Sequence, residues 1–472
     1  MRRYVEPLCL TVVLAAQVAL FTRLLSTALD FDEGVYLLAV ATLRSGQRLG
    51  TDVFAAQPPA FYWILRSIAA TLGEQSERIR LGIALLAACG TAAVWVVVRT
   101  IAGPVAGVLA AALVTISPPI PLFAPRILAD LPSLWLGVGA LALGAVATRR
   151  QSRYALIAAA AGGLAVLAVA TKVSAAITVP VLVVILVSGG GPVARRLGSA
   201  VAGAAAVGLA TLVANAAALG DLWNSVVTYH RQASSTPAVI DRWASIADLF
   251  NPRTPAFWLV VAGVLVFALR VALRRALLVE YALWGWAIVA FVFLATYSPI
   301  HYNHLVALPV PLALAAAASL GAQVTLLRGR GRDAAIVALA FVVVAGFAQQ
   351  WRRVAIAHES QSAAEKAAAG VLGRVTEPHD LVATDMPVSA VLANRLVPGP
   401  LVDTAYLRFQ TGSLTPEEVL AEIDRWCVAA VVAGRAFADE PAVMRGLKQR
   451  FASSAAASGA TVVFDRRQPC RR

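Results

Sequence analysis

The sequence predicts a polytopic α-helical membrane protein with a small C-terminal α/β domain. Of its 472 residues, 59% are hydrophobic and 14% are charged, and soluble domains usually contain about a quarter of charged residues. The net charge of +14 comes from arginine, because the lysines are Lys172, Lys366 and Lys448 alone. The arginines stand in short runs between apolar segments, which is typical of topology signals and excludes a nucleic-acid-binding protein.

Hydropathy predicts about eleven transmembrane helices. The first apolar run follows Arg2 and Arg3, and it is too long for a signal peptide, with more spans behind it. The predicted spans are 7–28, 79–98, 101–118, 131–148, 154–171, 173–189, 197–219, 255–273, 278–297, 304–325 and 334–351. They predict a transmembrane module over residues 1–351.

The arginines set the orientation of these spans. With a cytoplasmic N-terminus, every short basic cluster falls on the cytoplasmic side, as the positive-inside rule requires. The clusters are Arg99, then Arg149, Arg150 and Arg153, then Arg195 and Arg196, then Arg270, Arg274 and Arg275, then Arg328, Arg330 and Arg332. The outward segments are then 29–78, 119–130, the surroundings of Lys172, 220–254, 298–303 and everything after about 352.

The first outer loop is the most informative of these segments. Two apolar-periodic pieces, Gly34 to Leu43 and Pro59 to Leu72, predict two short helices on the membrane surface. Asp30, Asp32 and Glu33 stand at the start of the first piece, in "DFDEGVY". A solvated helix cap is one interpretation, because the helix dipole stabilises such carboxylates by about 0.3–1 kcal/mol. A catalytic carboxylate is the other.

Polar side chains also stand at the outer ends of later spans. Lys172, in "ATKVSAA", either extends to the interface or holds an anionic headgroup such as a lipid phosphate. His301 and His304 have the i, i+3 spacing of one helical face, but ordinary interfacial histidines explain them as well as a metal site does. The remaining candidates here are Arg126 and Asp130 in "PRILADLPSLW" and Tyr302 in "YSPIHYNHL".

The chain after residue 351 has the composition of a soluble domain. "DLVATD", "CVAAVVAG" and "ATVVFD" are typical of strands, and "TPEEVLAEIDRW" and "PAVMRGLKQRFA" of helices, the first with the capping residue Thr415. Alternating strands and helices predict a small α/β domain over residues 352–472 on the outer face. Cys427 and Cys470 would meet an oxidising compartment there, so a disulfide between them is a further expectation.

Together these segments resemble the GT-C class of membrane glycosyltransferases, especially the bacterial group similar to protein O-mannosyltransferases and the lipid A aminoarabinose transferase. The resemblance covers most of the chain, through "DFDEGVYLLAVATLRSGQRLGTDVFAAQPPAFYWI", "PRILADLPSLW", "LAVATKVSAA", "HYNHLVALPVPLALA" and, more loosely, residues 381–418. It implies the GT-C fold in the bacterial cytoplasmic membrane. It also implies inverting transfer of a sugar from a polyprenyl-phosphate donor to an acceptor hydroxyl on a lipid, glycan or protein, on the outer face.

The resemblance also implies roles for residues. Asp32 would act as general base with Glu33 beside it, and Asp130 would orient the acceptor or hold a cation. A leaving lipid phosphate needs cations, and the candidates are Lys172, Arg126, Arg44 and Arg48. Further site-lining candidates are Gln57, Tyr62, His301, Tyr302 and His304. Gln57 departs from relatives that carry Lys or His before the Pro-Pro pair. No cofactor is implied with certainty, and a divalent cation stays open.

Two other classes compete with the enzyme. A transporter or flippase would use the many spans as a pathway, but acids within the spans are almost absent and no inverted halves are visible in the sequence. A non-catalytic cell-envelope assembly protein would bind a partner through its outer domain. It would tolerate replacement of Asp32, whereas the enzyme would lose turnover with its fold intact.

Overall fold

The computed structural model describes residues 2–150, 152–236, 240–357 and 360–467, with the side chains of residues 2–4 left aside. The chain divides into two compact units. Unit 1 comprises Met1–Leu25, Arg80–Ala214 and Pro237–Ala357, and unit 2 comprises Ser26–Ile79, Asn215–Thr236 and His358–Arg472. The sequence-based division placed the first outer loop with the transmembrane module. In the structure this loop belongs to unit 2, together with the C-terminal residues.

Unit 1 is helical throughout its described part. Among the described residues, eight helices are long and apolar enough to cross a membrane, and three apolar helices are shorter, so this is a multi-pass membrane protein. Every predicted span corresponds to a helix. Because three of these helices are shorter than the length needed to cross a membrane, the number of eleven transmembrane helices stays a prediction. The first helix ends at Thr22 rather than at residue 28. The helices are Arg2–Thr22, Ser76–Ala102, Pro104–Ile116, Pro119–Phe123, Asp130–Arg149, Tyr154–Val169, Val173–Ile177, Thr178–Ser188, Val193–Ala214, Arg242–Leu249, Pro255–Ala272, Leu278–Thr296, Tyr302–Ala307, Pro309–Leu326 and Gly329–Ile356.

Small residues let two helices of unit 1 touch through their backbones. A Cβ atom at Gly162 would lie 1.9 Å from the carbonyl oxygen of Ala200, and one at Gly203 would lie 1.9 Å from that of Ala159. Lipid tails are as apolar as leucine, so membrane helices associate through such close packing rather than through the hydrophobic effect. The helices Tyr154–Val169 and Val193–Ala214 therefore depend on two reciprocal glycines.

Unit 2 combines the two short helices of the first outer loop with the C-terminal domain. The sequence predicted the loop helices at Gly34 to Leu43 and Pro59 to Leu72, and both are present, the first starting three residues earlier. The helices of this unit are Phe31–Arg44, Pro59–Leu72, Ala216–Ala218, Leu219–Trp223, Asn224–Thr228, Tyr229–Ala233, Ala363–Val375, Pro387–Leu392, Gly399–Leu401, Tyr406–Gln410, Pro416–Arg425, Ala436–Asp439 and Pro441–Arg450.

A four-stranded sheet forms the centre of the C-terminal domain, in the order β1-β2-β4-β3. The strands are β1 Val382–Thr384, β2 Ala430–Ala433, β3 Phe451–Ala457 and β4 Ala460–Arg466. β1 and β2 are parallel, with Val382 opposite Ala430, while β4 is antiparallel to both β2 and β3. The predicted α/β domain is confirmed, as is the Thr415 cap, whose hydroxyl accepts from the Glu418 amide. The strand β3 was not predicted, because "FASSAAA" lacks the bulky residues typical of strands.

The predicted disulfide partner Cys470 lies outside the described residues, so the pairing with Cys427 stays a prediction.

Candidate functional site

The three carboxylates of "DFDE" have different surroundings in the structure. The Asp30 carboxylate accepts a hydrogen bond from the Glu33 amide at 2.8 Å, and the Glu33 carboxylate accepts one from the Asp30 amide at 3.3 Å. This reciprocal pair is a capping box, which satisfies amide groups at the start of helix Phe31–Arg44. Asp32 lies in the first turn of the same helix and is exposed. The cap interpretation therefore accounts for Asp30 and Glu33, and the side chain of Asp32 is not part of the cap.

Aromatic residues hold the two loop helices together behind that first turn. The Tyr36 ring meets the rings of Phe61 and Tyr62 edge to face, at centroid distances of 4.8 and 6.3 Å. The Gln57 side chain donates to the Tyr36 hydroxyl at 3.2 Å. Tyr62 is buried, and burial raises the pKa of its phenol above the ordinary value, so it stays protonated. Gln57 and Tyr62 thus stabilise the Asp32 helix through their contacts with Tyr36.

The two arginines proposed for phosphate binding in the first outer loop already have acidic partners. Arg44 Nε lies 2.8 Å from Glu74 Oε1, and Arg48 Nε lies 3.3 Å from Asp52 Oδ2. The Arg48 amide also donates to Asp52 and lowers the pKa of that carboxyl. Exposed pairs of this kind contribute about 0–1 kcal/mol each. A phosphate would compete with these carboxylates, and the phosphate-binding role of both arginines stays a prediction.

A second group of candidates meets within unit 1. Lys172 Nζ lies 2.6 Å from Asp130 Oδ1, and the Asn303 amide donates to Asp130 Oδ2 at 3.0 Å. The Lys172 and Asp130 side chains are only 15% and 11% exposed. Three elements bring them together, because Asp130 begins a long helix, Lys172 precedes a short one and Asn303 lies in a third. The sequence predicted that Asp130 orients the acceptor or holds a cation such as Arg126, and in the structure it pairs with the cation Lys172. Arg126 lies 5.6 Å from the centre of the Phe123 ring.

Two histidines extend this second group. The His301 amide donates to His304 Nδ1 at 3.2 Å, and their rings lie 5.6 Å apart. Burial lowers the pKa of His301, and the positive charge of Lys172 lowers it further while Asp130 opposes the change. The imidazole of His301 is therefore neutral at pH 7. Tyr302, beside them, is 58% exposed. Among the described residues, no three histidine, cysteine or acidic side chains come together in a group that would hold a metal ion.

Most of the candidate residues therefore form two groups, one in each unit. Three arginines lie against other residues instead, namely Arg44 against Glu74, Arg48 against Asp52 and Arg126 against Phe123. The sequence reasoning named the members of both but missed Tyr36 and Asn303. Both residues lie inside stretches that were singled out, "DFDEGVY" and "YSPIHYNHL". Their polar partners, Gln57 and Asp130, lie 21 and 173 residues away. Only the fold reveals such pairs.

Comparison with known proteins extends this description. Residues 56–218 match the family model of dolichyl-phosphate-mannose-protein mannosyltransferases. No curated protein matches the chain at a significant level.

Among solved structures, ArnT from Cupriavidus metallidurans bound to undecaprenyl phosphate superposes with a TM-score of 0.66 at 14% identity, covering 97% of each chain. Its apo form gives a TM-score of 0.69 at 15% identity, again over 97% of both chains. The oligosaccharyltransferase AglB from Archaeoglobus fulgidus, in complex with an inhibitory peptide and a dolichol-phosphate, gives 0.60 at 15% identity, over 99% of this chain and 75% of AglB. The protein has the fold of the GT-C membrane glycosyltransferases, and over residues 56–218 it is similar to the protein mannosyltransferase family.

Proposed function

We propose that the protein is a glycosyltransferase that moves a sugar from a polyprenyl-phosphate donor to an acceptor hydroxyl on the outer face of the bacterial cytoplasmic membrane. The similar fold of ArnT, solved with undecaprenyl phosphate, and of AglB, solved with a dolichol-phosphate, supports a lipid-phosphate ligand. The observation that carries the proposal is Asp32, an exposed carboxylate on the first turn of a helix that is capped by the other two carboxylates of its motif.

The chemistry needs one strong proton acceptor. An acceptor hydroxyl is a weak nucleophile, so a carboxylate must take its proton while the oxygen attacks the anomeric carbon. In this reaction the new bond joins the acceptor oxygen to the anomeric carbon, the bond from that carbon to the phosphate oxygen breaks, and the proton passes to Asp32. Attack from the side opposite the phosphate inverts the anomeric configuration. The lipid phosphate leaves with the electron pair of the broken bond.

The leaving phosphate needs positive charge rather than an acid. Lys172 is the first candidate, because an ammonium group has three N–H donors and one of them is directed at Asp130. The Asn303 amide fixes the Asp130 carboxylate, and that carboxylate holds the ammonium in one place, so Lys172 offers its remaining donors without reorganising. Arg126 is the second candidate. The acceptor is a lipid, a glycan or a protein, and the test has to offer all three.

The experiment that tests this function is a donor screen in proteoliposomes. The purified protein is given a panel of polyprenyl-phosphate sugars, labelled in the sugar, together with envelope lipids, glycans and proteins as acceptors. We expect release of free polyprenyl phosphate with one donor, label in one acceptor class, and a product of opposite anomeric configuration.

Other outcomes of the screen would favour a different mechanism or a different class of function. Retention of configuration would contradict the inverting mechanism. Movement of a donor across the bilayer with its sugar still attached would support a transporter instead. Absence of turnover with every donor and acceptor would refute the transferase.

A further inference from the structure

Hydrogen bonds join the two turns at the carboxyl ends of the parallel strands β1 and β2 of the C-terminal sheet. In open α/β sheets this edge is where ligands usually bind. Here the buried carboxylate of Asp385, just after β1, accepts amide hydrogen bonds from Gly434 at 2.9 Å, Arg435 at 2.7 Å and Phe437 at 2.7 Å, just after β2. These bonds fix the turn that carries Arg435.

The helix that carries Asp32 lies against this edge. Helix Phe31–Arg44 packs on helix Pro387–Leu392, which follows β1. A Cβ atom at Gly34 would lie 2.8 Å from the Val388 amide nitrogen, so the two backbones are in direct contact. The Arg435 guanidinium, on the turn after β2, lies 4.5 Å from the centre of the Phe31 ring, within range of a cation–π attraction. Phe31 is the neighbour of Asp32.

A glutamine of the C-terminal segment holds the chain just before the helix. The Leu29 amide donates to Gln361 Oε1 at 2.9 Å, and Gln361 Nε2 donates to the Leu29 carbonyl at 3.2 Å. Both backbone groups of the residue before the Asp30 cap are therefore bound by one side chain. Near the other end of the helix, the Thr42 hydroxyl donates to the Val397 carbonyl at 3.3 Å.

We propose that the C-terminal domain is the scaffold that positions Asp32, with Gln361 and Arg435 as positioning residues. The chain's own helix packs at the sheet edge where such a domain usually binds a ligand, so the domain acts on the reaction through that helix. This inference rests on the proposed function, in which Asp32 is the base. A displacement of a reacting group by about 1 Å reduces the reaction rate about 100-fold.

The test uses the full-length protein in proteoliposomes and two kinds of measurement. Gln361→Ala and Arg435→Ala remove the two restraints, and Arg435→Lys restores the cation. Gln449→Ala and Arg445→Ala are the matched controls, because both side chains are exposed on helix Pro441–Arg450 in the same domain. Hydrogen exchange of the peptide covering residues 29–40 reports how easily the Asp32 helix opens. Donor turnover reports whether that opening changes the rate of sugar transfer.

We expect Gln361→Ala and Arg435→Ala each to exchange about tenfold faster in that peptide, because local opening becomes easier when the hydrogen bonds of Gln361 or the ring contact of Arg435 are lost. Turnover number should fall about tenfold with the KM for the donor within about twofold, since the donor still binds while the base is misplaced. Arg435→Lys should recover part of the turnover, and both control variants should match the unchanged protein.

Two results would overturn the proposal. Exchange at the level of the controls would mean that Gln361 and Arg435 do not hold the helix. Faster exchange with full turnover would mean that this restraint has no role in the reaction. If the unchanged protein transfers no sugar at all, the proposed function fails, and the exchange rates alone still decide whether Gln361 and Arg435 hold the Asp32 helix.

Discussion

The ion pair between Lys172 and Asp130 allows a quantitative test of the unit 1 group. We consider Lys172→Met, which keeps most of the side-chain volume and removes the charge. The loss leaves the Asp130 carboxylate, which is 11% exposed in the unchanged protein, with a hydrogen bond from the Asn303 amide at 3.0 Å. Removing one partner of a buried pair costs about 3–5 kcal/mol. The partial exposure of Asp130 and its hydrogen bond from Asn303 make the cost of the unpaired charge smaller. We therefore expect the free energy of unfolding to fall by about 2–3 kcal/mol.

The assay is unfolding of the purified protein in mixed micelles, followed by tryptophan fluorescence. Lys366→Met is the matched control, because Lys366 is exposed and outside this group, and it should change the unfolding free energy by less than about 0.5 kcal/mol. In the double variant Lys172→Met with Asp130→Asn, the carboxylate charge is gone as well. The combined loss should therefore be smaller than the sum of the single losses, by about 1–2 kcal/mol. Additive losses, or a Lys172→Met effect as small as the control, would refute the pairing.

The remaining predictions concern packing and pH. Gly203→Ala should destabilise the protein by about 1–3 kcal/mol, because its Cβ would lie 1.9 Å from a backbone oxygen. Gly198→Ala in the same helix is the control, since its Cβ meets open space and should not destabilise the protein. Equal thermal unfolding of the two variants would contradict the packing. Burial lowers the folded-state pKa of His301, so the folded state favours the neutral ring, and its contribution to stability should be lost as pH falls below the ordinary pKa of about 6.5. His301→Gln should flatten the loss of thermal stability between about pH 7 and pH 5, and an unchanged pH profile in that variant would show that His301 is not the group responsible.

The sequence was sufficient for the fold class and for most helices. Long apolar runs and arginine clusters depend on local composition, so the spans and the C-terminal domain were readable without a structure. Boundaries were less accurate, as with the first helix, which ends at Thr22. Strand β3 was not predicted, because small residues such as those of "FASSAAA" form a strand here only through pairing with β4.

The site was partly readable for a related reason. Asp32, Asp130 and Lys172 stand out as charges beside apolar runs. The division of roles among the "DFDE" carboxylates was not readable, because a capping box depends on the exact start of the helix. The contacts of Gln361 and Arg435 with the first outer loop were also out of reach, since sequence separations of several hundred residues carry no local signal. They depend on tertiary packing alone.

The most direct test of the central claim is turnover of one polyprenyl-phosphate sugar donor by Asp32→Asn in lipid nanodiscs. Asp333→Asn is the matched control, since Asp333 is an exposed aspartate near the start of another helix. Loss of a general base costs about 100- to 10,000-fold in rate. We predict a fall of that size for Asp32→Asn, with unchanged thermal unfolding and donor binding, and full turnover for Asp333→Asn. Equal turnover by the two variants would contradict the assignment of Asp32 as the base.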